Sequence, residues 1–89
     1  MPKMVVTHTV LDVDNWLKGK AERADAISAM GCSNVVDYVA ADGSKAIAVT
    51  ADAHDPAAVV AAISSPPAEL VAAMDRHGVV PPLTIYIEK

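Results

Sequence analysis

Four short runs along the chain have the residue pattern of β-strands. They are residues 4–11, 34–41, 45–51 and 83–88. The first run is rich in β-branched side chains, and all four are short enough for strands. In the last run polar and apolar residues alternate strictly, which gives that strand two different faces. Asp42-Gly43, between the second and third runs, favours a tight turn. The pattern therefore predicts four strands, two of them joined as a hairpin.

A helix is predicted between the first and second strands. It begins near Asn15, where the carboxylate of Asp14 is placed to accept a hydrogen bond from the first turn. It ends at Gly31, because glycine adopts the left-handed conformation that stops a helix without a steric penalty. Apolar residues recur in this helix at steps of four and three, which places them on one face. They are Leu17, Ala21, Ala24 and Ile27.

A second helical region follows the third strand and is interrupted once. Asp55-Pro56 starts it, because the carboxylate can cap the helix and proline loses no hydrogen bond at the first position. Ser65-Pro66-Pro67 divides the region into residues 57–63 and 68–77, since neither proline can donate a backbone hydrogen bond. Three residues of the second piece are expected in the core: Leu70, Val71 and Met74.

The resulting order of elements is β-α-β-β-α-β. A chain of 89 residues is too short to fold around two cores, so we predict one domain over residues 1–89. Right-handed crossovers in the two β-α-β halves give a four-stranded antiparallel sheet with both helices on one face. The predicted fold class is therefore α+β, of the ferredoxin-like type.

Two helices cover only one face of such a sheet, yet both faces carry apolar side chains. Val5 and Val6 point to opposite faces of the first strand, and Val35 and Val36 to opposite faces of the second. An uncovered apolar face would exceed the patch of roughly a few hundred Å² that soluble monomers expose. We therefore predict a homodimer formed through the open face of the sheet. The alternative is a half-exposed sheet on which valine and alanine are tolerated.

The charge and the cysteine content narrow the range of partners. A net charge of −4, without a basic stripe or interleaved aromatic residues, argues against nucleic acid. The single cysteine, Cys32, excludes an internal disulfide and fits a reducing compartment. No apolar run approaches the roughly 20 residues that cross a bilayer. We expect a soluble, cytoplasmic protein with no membrane partner.

Residues spread over nearly the whole chain resemble small proteins of the dimeric α/β-barrel superfamily. They are Val6-Thr7-His8-Thr9-Val10, Asp12, Trp16, Asp55, Ser65-Pro66, Met74, Gly78-Val79 and the closing Pro-Pro-Leu-Thr-Ile. That superfamily includes antibiotic-biosynthesis monooxygenases and muconolactone-isomerase-like and polyketide-cyclase-like enzymes. Most of these positions serve packing and capping, so the resemblance supports fold and dimer better than activity. It implies a cavity between the sheet and the helices, or inside the barrel.

Four residues are candidates for a ligand site: His8, Trp16, Thr50 and Tyr86. His8 is the candidate general base, and the alternative is a core histidine satisfied by a neighbouring threonine or carbonyl. The sequence does not tell which face of the sheet His8 occupies. Trp16 either closes the pocket or plugs the open end of the sheet. Thr50 and Tyr86 are expected to orient the ligand, although Tyr86 is equally suited to the dimer interface.

Two functions remain open at this point. One is an oxygenase, isomerase or cyclase-like enzyme that acts without a cofactor on a small aromatic or polyketide-like compound, and it requires an enclosed cavity of at least ~300 Å³. The other is a non-catalytic module that binds a small ligand or associates with itself. The histidines lack metal-site spacing, so we expect no metal and no other cofactor. Capture of haem or a metal by a histidine is a third hypothesis.

Overall fold

The computed structural model describes all residues 1–89 and contains four strands and four helices. The strands are β1 (Lys3–Val10), β2 (Cys32–Val39), β3 (Ala46–Ala53) and β4 (Val79–Ile87). The helices are α1 (Val13–Lys18), α2 (Lys20–Ala29), α3 (Pro56–Ser64) and α4 (Ala68–Arg76). The order is therefore β-α-α-β-β-α-α-β. It confirms the predicted sequence of elements, with each helical region made of two helices.

The four strands form one antiparallel sheet in the order β2-β3-β1-β4. This is the predicted ferredoxin-like α+β arrangement, with β1 and β3 in the centre. Strand β4 begins at Val79, earlier than predicted, and includes Pro81 and Pro82, which are joined by a cis peptide bond. Prolines are accepted there because β4 lies at the edge of the sheet, where an N–H is not required on the outer side.

An aspartate caps each of the helices α1 and α3, and the cap predicted for α1 is wrong. Asp12, not Asp14, caps α1, because its carboxylate accepts hydrogen bonds from the backbone N–H groups of Asp14 (2.9 Å) and Asn15 (3.3 Å). At α3 the prediction is confirmed, since the Asp55 carboxylate accepts from the N–H of Ala58 at 3.3 Å. The cap position is offset because β1 ends at Val10, so the chain turns into the helix earlier.

The first helical region is broken at Gly19, a break that the sequence analysis did not predict. A Cβ at Gly19 would overlap the imidazole ring of His77, so only glycine permits this close approach. The buried residues of the region are Trp16 and Arg23. Leu17, predicted in the core, is 40% exposed. Ile27 at the other end of the predicted apolar face packs against the core, whereas Leu17 lies before the break and does not share that face.

Helices α3 and α4 are separated by Ser65-Pro66-Pro67, as predicted. In α4 the fully buried residue is Ala73, while Val71 is 50% exposed, so its predicted place in the core is wrong. No single helix is long and apolar enough to cross a membrane; α3 and α4 meet that requirement only as a pair, bent by 75°.

The sheet has two faces of different character. On the helix-side face, alternate residues of β1 and β3 are buried: Met4, Val10, Ile47, Val49, Ala51 and Ala53. They pack with residues of the helices, for example Ile27 of α2 and Val59 of α3. The residues between them point to the other face, called the open face, which also carries Val36, Tyr38 and Tyr86. The core therefore lies on one side of the sheet.

Candidate functional site

The structure divides the four predicted site residues between the two faces of the sheet. His8 is on the helix-side face with Trp16, and their ring centroids are 6.4 Å apart in an edge-to-face arrangement. Thr50 and Tyr86 are on the open face, where each is the cross-strand neighbour of Val5. The sequence analysis placed all four around one ligand. The alternation of side chains along β1 separates them, because His8 and Val5 point in opposite directions.

A cavity of about 100 Å³ lies between the sheet and the helices. Sixteen of the nineteen residues around it are hydrophobic, and the other three are His8, Arg23 and His77. Its volume is below the ~300 Å³ at which pockets for drug-sized ligands begin. It is closer to an engineered apolar cavity of about 150 Å³ that binds benzene. The cavity therefore suits a single small ring rather than a compound of several fused rings.

His8 has one ring nitrogen engaged and the other available. Its Nδ1 lies 2.8 Å from the carbonyl oxygen of Thr9, which can only accept, so Nδ1 carries the proton. Nε2 of the neutral ring then has a lone pair that can accept a proton. Burial is the main cause that lowers the pKa of His8, and the nearby Arg23 lowers it further. His8 is therefore neutral at physiological pH and is a suitable proton acceptor.

Arg23 is a central residue of the site that the sequence analysis missed. Its Nη2 is 2.6 Å from Oδ2 of Asp37, and the two side chains are only 9% and 3% exposed. Its Nη1 donates to the carbonyl oxygen of Trp16 at 3.1 Å. Its guanidinium carbon lies 3.9 Å from the centroid of the Trp16 ring, within cation–π range. Arg23 thus fixes both the backbone and the ring of Trp16.

The signal that could have revealed this pair is Asp37 itself. It is the one charged residue within the apolar run of the second strand. A carboxylate on the covered face of a sheet requires a cationic partner. The partner could not be named from sequence, because Arg23 is 14 residues away on a different element.

His77 completes the cluster at the end of α4. Its Nδ1 is 3.4 Å from Nη1 of Arg23, which donates, and its Nε2 is 3.3 Å from Oε1 of Glu22. Glu22 also pairs with Arg76. Burial is the main cause that lowers the pKa of His77, with Arg23 second. His77 is buried and joins α4 to α2.

Trp16 carries the remaining polar atom at this site. The residue is completely buried and lines the cavity. Its indole Nε1, the only polar atom of its side chain, is buried and has no hydrogen-bond partner in the protein. Buried N–H groups without a partner are rare, because each loses its hydrogen bond to water.

The open face carries a wider groove of about 530 Å³. Its polar lining comes from the hydroxyl groups of Thr7, Thr9, Tyr38 and Thr84 and from His8, which borders both this groove and the helix-side cavity. Neither Thr50 nor Tyr86 lines this groove. The groove is open to solvent in the single chain, so it becomes an enclosed space only if another surface covers it.

No group of three or more His, Cys, Asp and Glu side chains is arranged to hold a metal ion. Cys32 is buried in the core, and burial raises the pKa of its thiol. A protonated, buried thiol is a poor nucleophile. The titratable groups that face the cavity are the two histidines, the paired arginine and the Cys32 thiol.

Solved structures of several bacterial proteins have a similar fold. A protein of Bordetella bronchiseptica described as an antibiotic biosynthesis monooxygenase has a TM-score of 0.75 at 12% identity, over 99% of this chain and 94% of that chain. A second structure of that description gives 0.67 at 12% identity, over 100% and 97%. One from Nitrosomonas europaea gives 0.65 at 11% identity, over 97% and 86%.

No protein-family model and no curated protein matches the sequence. At 11–12% identity the likeness concerns the fold. This chain therefore has the same ferredoxin-like α+β fold as these proteins described as antibiotic biosynthesis monooxygenases.

Proposed function

We propose that this chain binds a small, flat, largely apolar organic molecule in the helix-side cavity and that His8 accepts a proton from it. The observation that carries this proposal is the cavity itself, an apolar space with a neutral histidine and a buried tryptophan on its wall. An apolar cavity with few polar groups is the usual form of a small-molecule site. The chemistry is that of an oxygenase or isomerase-like enzyme that works without a cofactor.

The proton transfer follows from the hydrogen bonds of His8. Its Nδ1–H is held by the carbonyl of Thr9, so the free lone pair is on Nε2. When Nε2 takes a proton from a ring hydroxyl, the imidazolium keeps its hydrogen bond to Thr9. The lowered pKa of His8 ensures that the ring is unprotonated before the ligand binds.

The size of the cavity limits the ligand. At about 100 Å³ the cavity is smaller than one of about 150 Å³ that binds benzene, so the ligand is no larger than one six-membered ring. Three methionines line the space: Met4, Met30 and Met74. Flexible thioether side chains adapt to ligands of different shape at low cost. Small aromatic compounds are therefore favoured over larger ones.

The second part of the proposal is a homodimer formed through the open face. Val36, Tyr38 and Tyr86 share this face and are 42%, 49% and 57% exposed. A second copy of the chain would cover these side chains and close the groove beside Thr7 and Thr84. In that assembly Tyr86 serves the interface rather than the ligand. We keep the cytoplasmic location as part of this proposal, because the chain has one buried thiol and no disulfide.

Binding is tested with phenol and catechol, followed by the fluorescence of the single tryptophan. Ala26 lines the cavity from α2, and Ala26→Leu fills part of the space, so affinity should fall at least about tenfold, equivalent to roughly 1.4 kcal/mol. Ala48 is on the open face, and Ala48→Leu is the matched control that should leave affinity unchanged. Equal binding by wild type and Ala26→Leu would refute the assignment of the cavity.

Catalysis is tested with His8→Gln. Wild type should consume dioxygen or isomerise a member of a panel of hydroxylated aromatic compounds, and the variant should lose a factor of about 10² to 10⁴. The alternative function is a passive binding module, favoured by the small cavity volume. It predicts turnover by neither protein, with only affinity or stability altered in His8→Gln.

A further inference from the structure

The buried N–H group of Trp16 has no role in the proposed proton transfer to His8. The side chain is 0% exposed, and its Nε1–H has no acceptor in the protein. Every other polar side chain on the cavity wall has a partner: His8 bonds to Thr9, Arg23 to Asp37, and His77 to Glu22. The Nε1 of Trp16 is the one fully buried side-chain nitrogen or oxygen atom without a partner, and it marks a place where an acceptor is expected.

The orientation of the indole is fixed by its neighbours. Arg23 lies over the ring at 3.9 Å and donates to the Trp16 carbonyl at 3.1 Å. Arg23 is itself held by Asp37 across the core. Rotation of Trp16 towards a protein acceptor would therefore break the stacking on a buried ion pair. The N–H stays unpaired because the surrounding contacts determine where the ring lies.

We propose that the Nε1–H of Trp16 is a ligand-binding group that donates a hydrogen bond to an oxygen atom of the molecule in the cavity. This inference rests on the proposed function and narrows the ligand class to rings that carry an oxygen, as opposed to plain hydrocarbons. His8 and Trp16 line the same cavity, and their ring centroids are 6.4 Å apart, so a small ligand in the cavity lies beside both rings. A hydroxyl group satisfies both residues, since it donates to Nε2 of His8 and offers lone pairs to Nε1 of Trp16.

The chain contains one tryptophan, which makes the test direct. A ¹⁵N-labelled sample gives a single indole N–H resonance, and it reports on Trp16 alone. Phenol and toluene have nearly the same size and shape, but only phenol has an oxygen. Phenol should move the indole proton resonance in the direction of a stronger hydrogen bond, while toluene should not.

The outcomes separate the two proposals. If neither probe perturbs the resonances of cavity-lining methyl groups, the proposed function fails. If both probes do so and shift the indole N–H equally, the cavity binds ligands but the role of Trp16 is wrong. A persistent contact of the indole N–H with water that phenol does not displace also overturns the inference.

Trp16→Phe gives a second measurement. It removes the N–H and keeps an aromatic ring, so the preference for phenol over toluene should fall about three- to tenfold, the value of one hydrogen bond. An unchanged preference contradicts the proposal. The measurement of the indole resonance uses the unaltered chain, so the proposal stays testable if the variant does not fold.

Discussion

The polar groups on the two faces of the sheet differ in burial. On the helix side, Arg23, Asp37 and His77 are buried and bonded to one another. On the open side, Lys3 and Asp52 form an ion pair that is 49% and 23% exposed, and the tyrosines lie in solvent. The two-residue alternation along each strand thus produces a buried site with fixed geometry on one face and a solvent-exposed surface on the other. The first suits selective binding, and the second suits assembly.

The largest expected effect is a loss of stability when the buried ion pair on the helix side is broken. Asp37→Ala leaves the Arg23 guanidinium buried without its counter-ion, which should lower the free energy of unfolding by about 3–5 kcal/mol. Urea denaturation measures it. Asp52→Ala, on the neighbouring strand, removes a carboxylate from the exposed pair and should cost far less. If the two variants were equally stable, the contrast between the faces would be wrong.

A smaller effect is expected from a charge placed on the open face. Val36→Glu puts one carboxylate per chain into the proposed two-fold interface, so the dimer dissociation constant should rise at least about tenfold. Val71→Glu is the matched control, because Val71 is 50% exposed, against 42% for Val36, but lies on α4. Sedimentation gives the mass of both. A wild-type protein that is monomeric at high concentration would rule out the interface.

The smallest effect concerns pH. Burial and Arg23 lower the pKa of His77, so the unfolded chain binds a proton more readily than the native protein. Stability is then complete above the ordinary histidine pKa of about 6.5, and is lost as pH falls through the lowered native value. His8 acts in the same direction.

Urea midpoints between pH 7.5 and 5.5 should therefore decline towards acid in wild type and less steeply in His77→Gln. His54→Gln is the control, because His54 is exposed and outside both faces. A wild-type midpoint that rises on acidification would contradict the sign. Arg76 lowers the pKa of Glu22, so this carboxylate titrates below pH 5.5. The pH range stops there so that the measurement does not include the titration of Glu22.

The fold was predictable because its signals are local. Asp55-Pro56 marks a helix start within two residues, and Asp42-Gly43 marks a turn in the same way. Strand β4 was recognised by its alternation, which the structure retains. Among the strands only the boundaries differ from the prediction, since strand ends depend on pairing with neighbours, as at Val79 opposite Val10.

The site was only partly predictable because it is assembled from distant residues. Arg23 contacts His77, which is 54 positions away in the sequence, and no local pattern predicts such a contact. His8 and Trp16 were identified by residue type, yet their common face became known only from the register of β1 and β3. Thr50 and Tyr86 lie on the open face, opposite Val5, which separates them from the helix-side cavity.

The imidazole ring of His77 fills the space that a side chain at Gly19 would need. The missing side chain at position 19 makes room for a ring from the far end of the sequence. The two positions therefore form a single steric unit, in which a larger residue at position 19 requires a smaller or displaced side chain at position 77. A library that varies them together should recover folded pairs that varying either alone would miss.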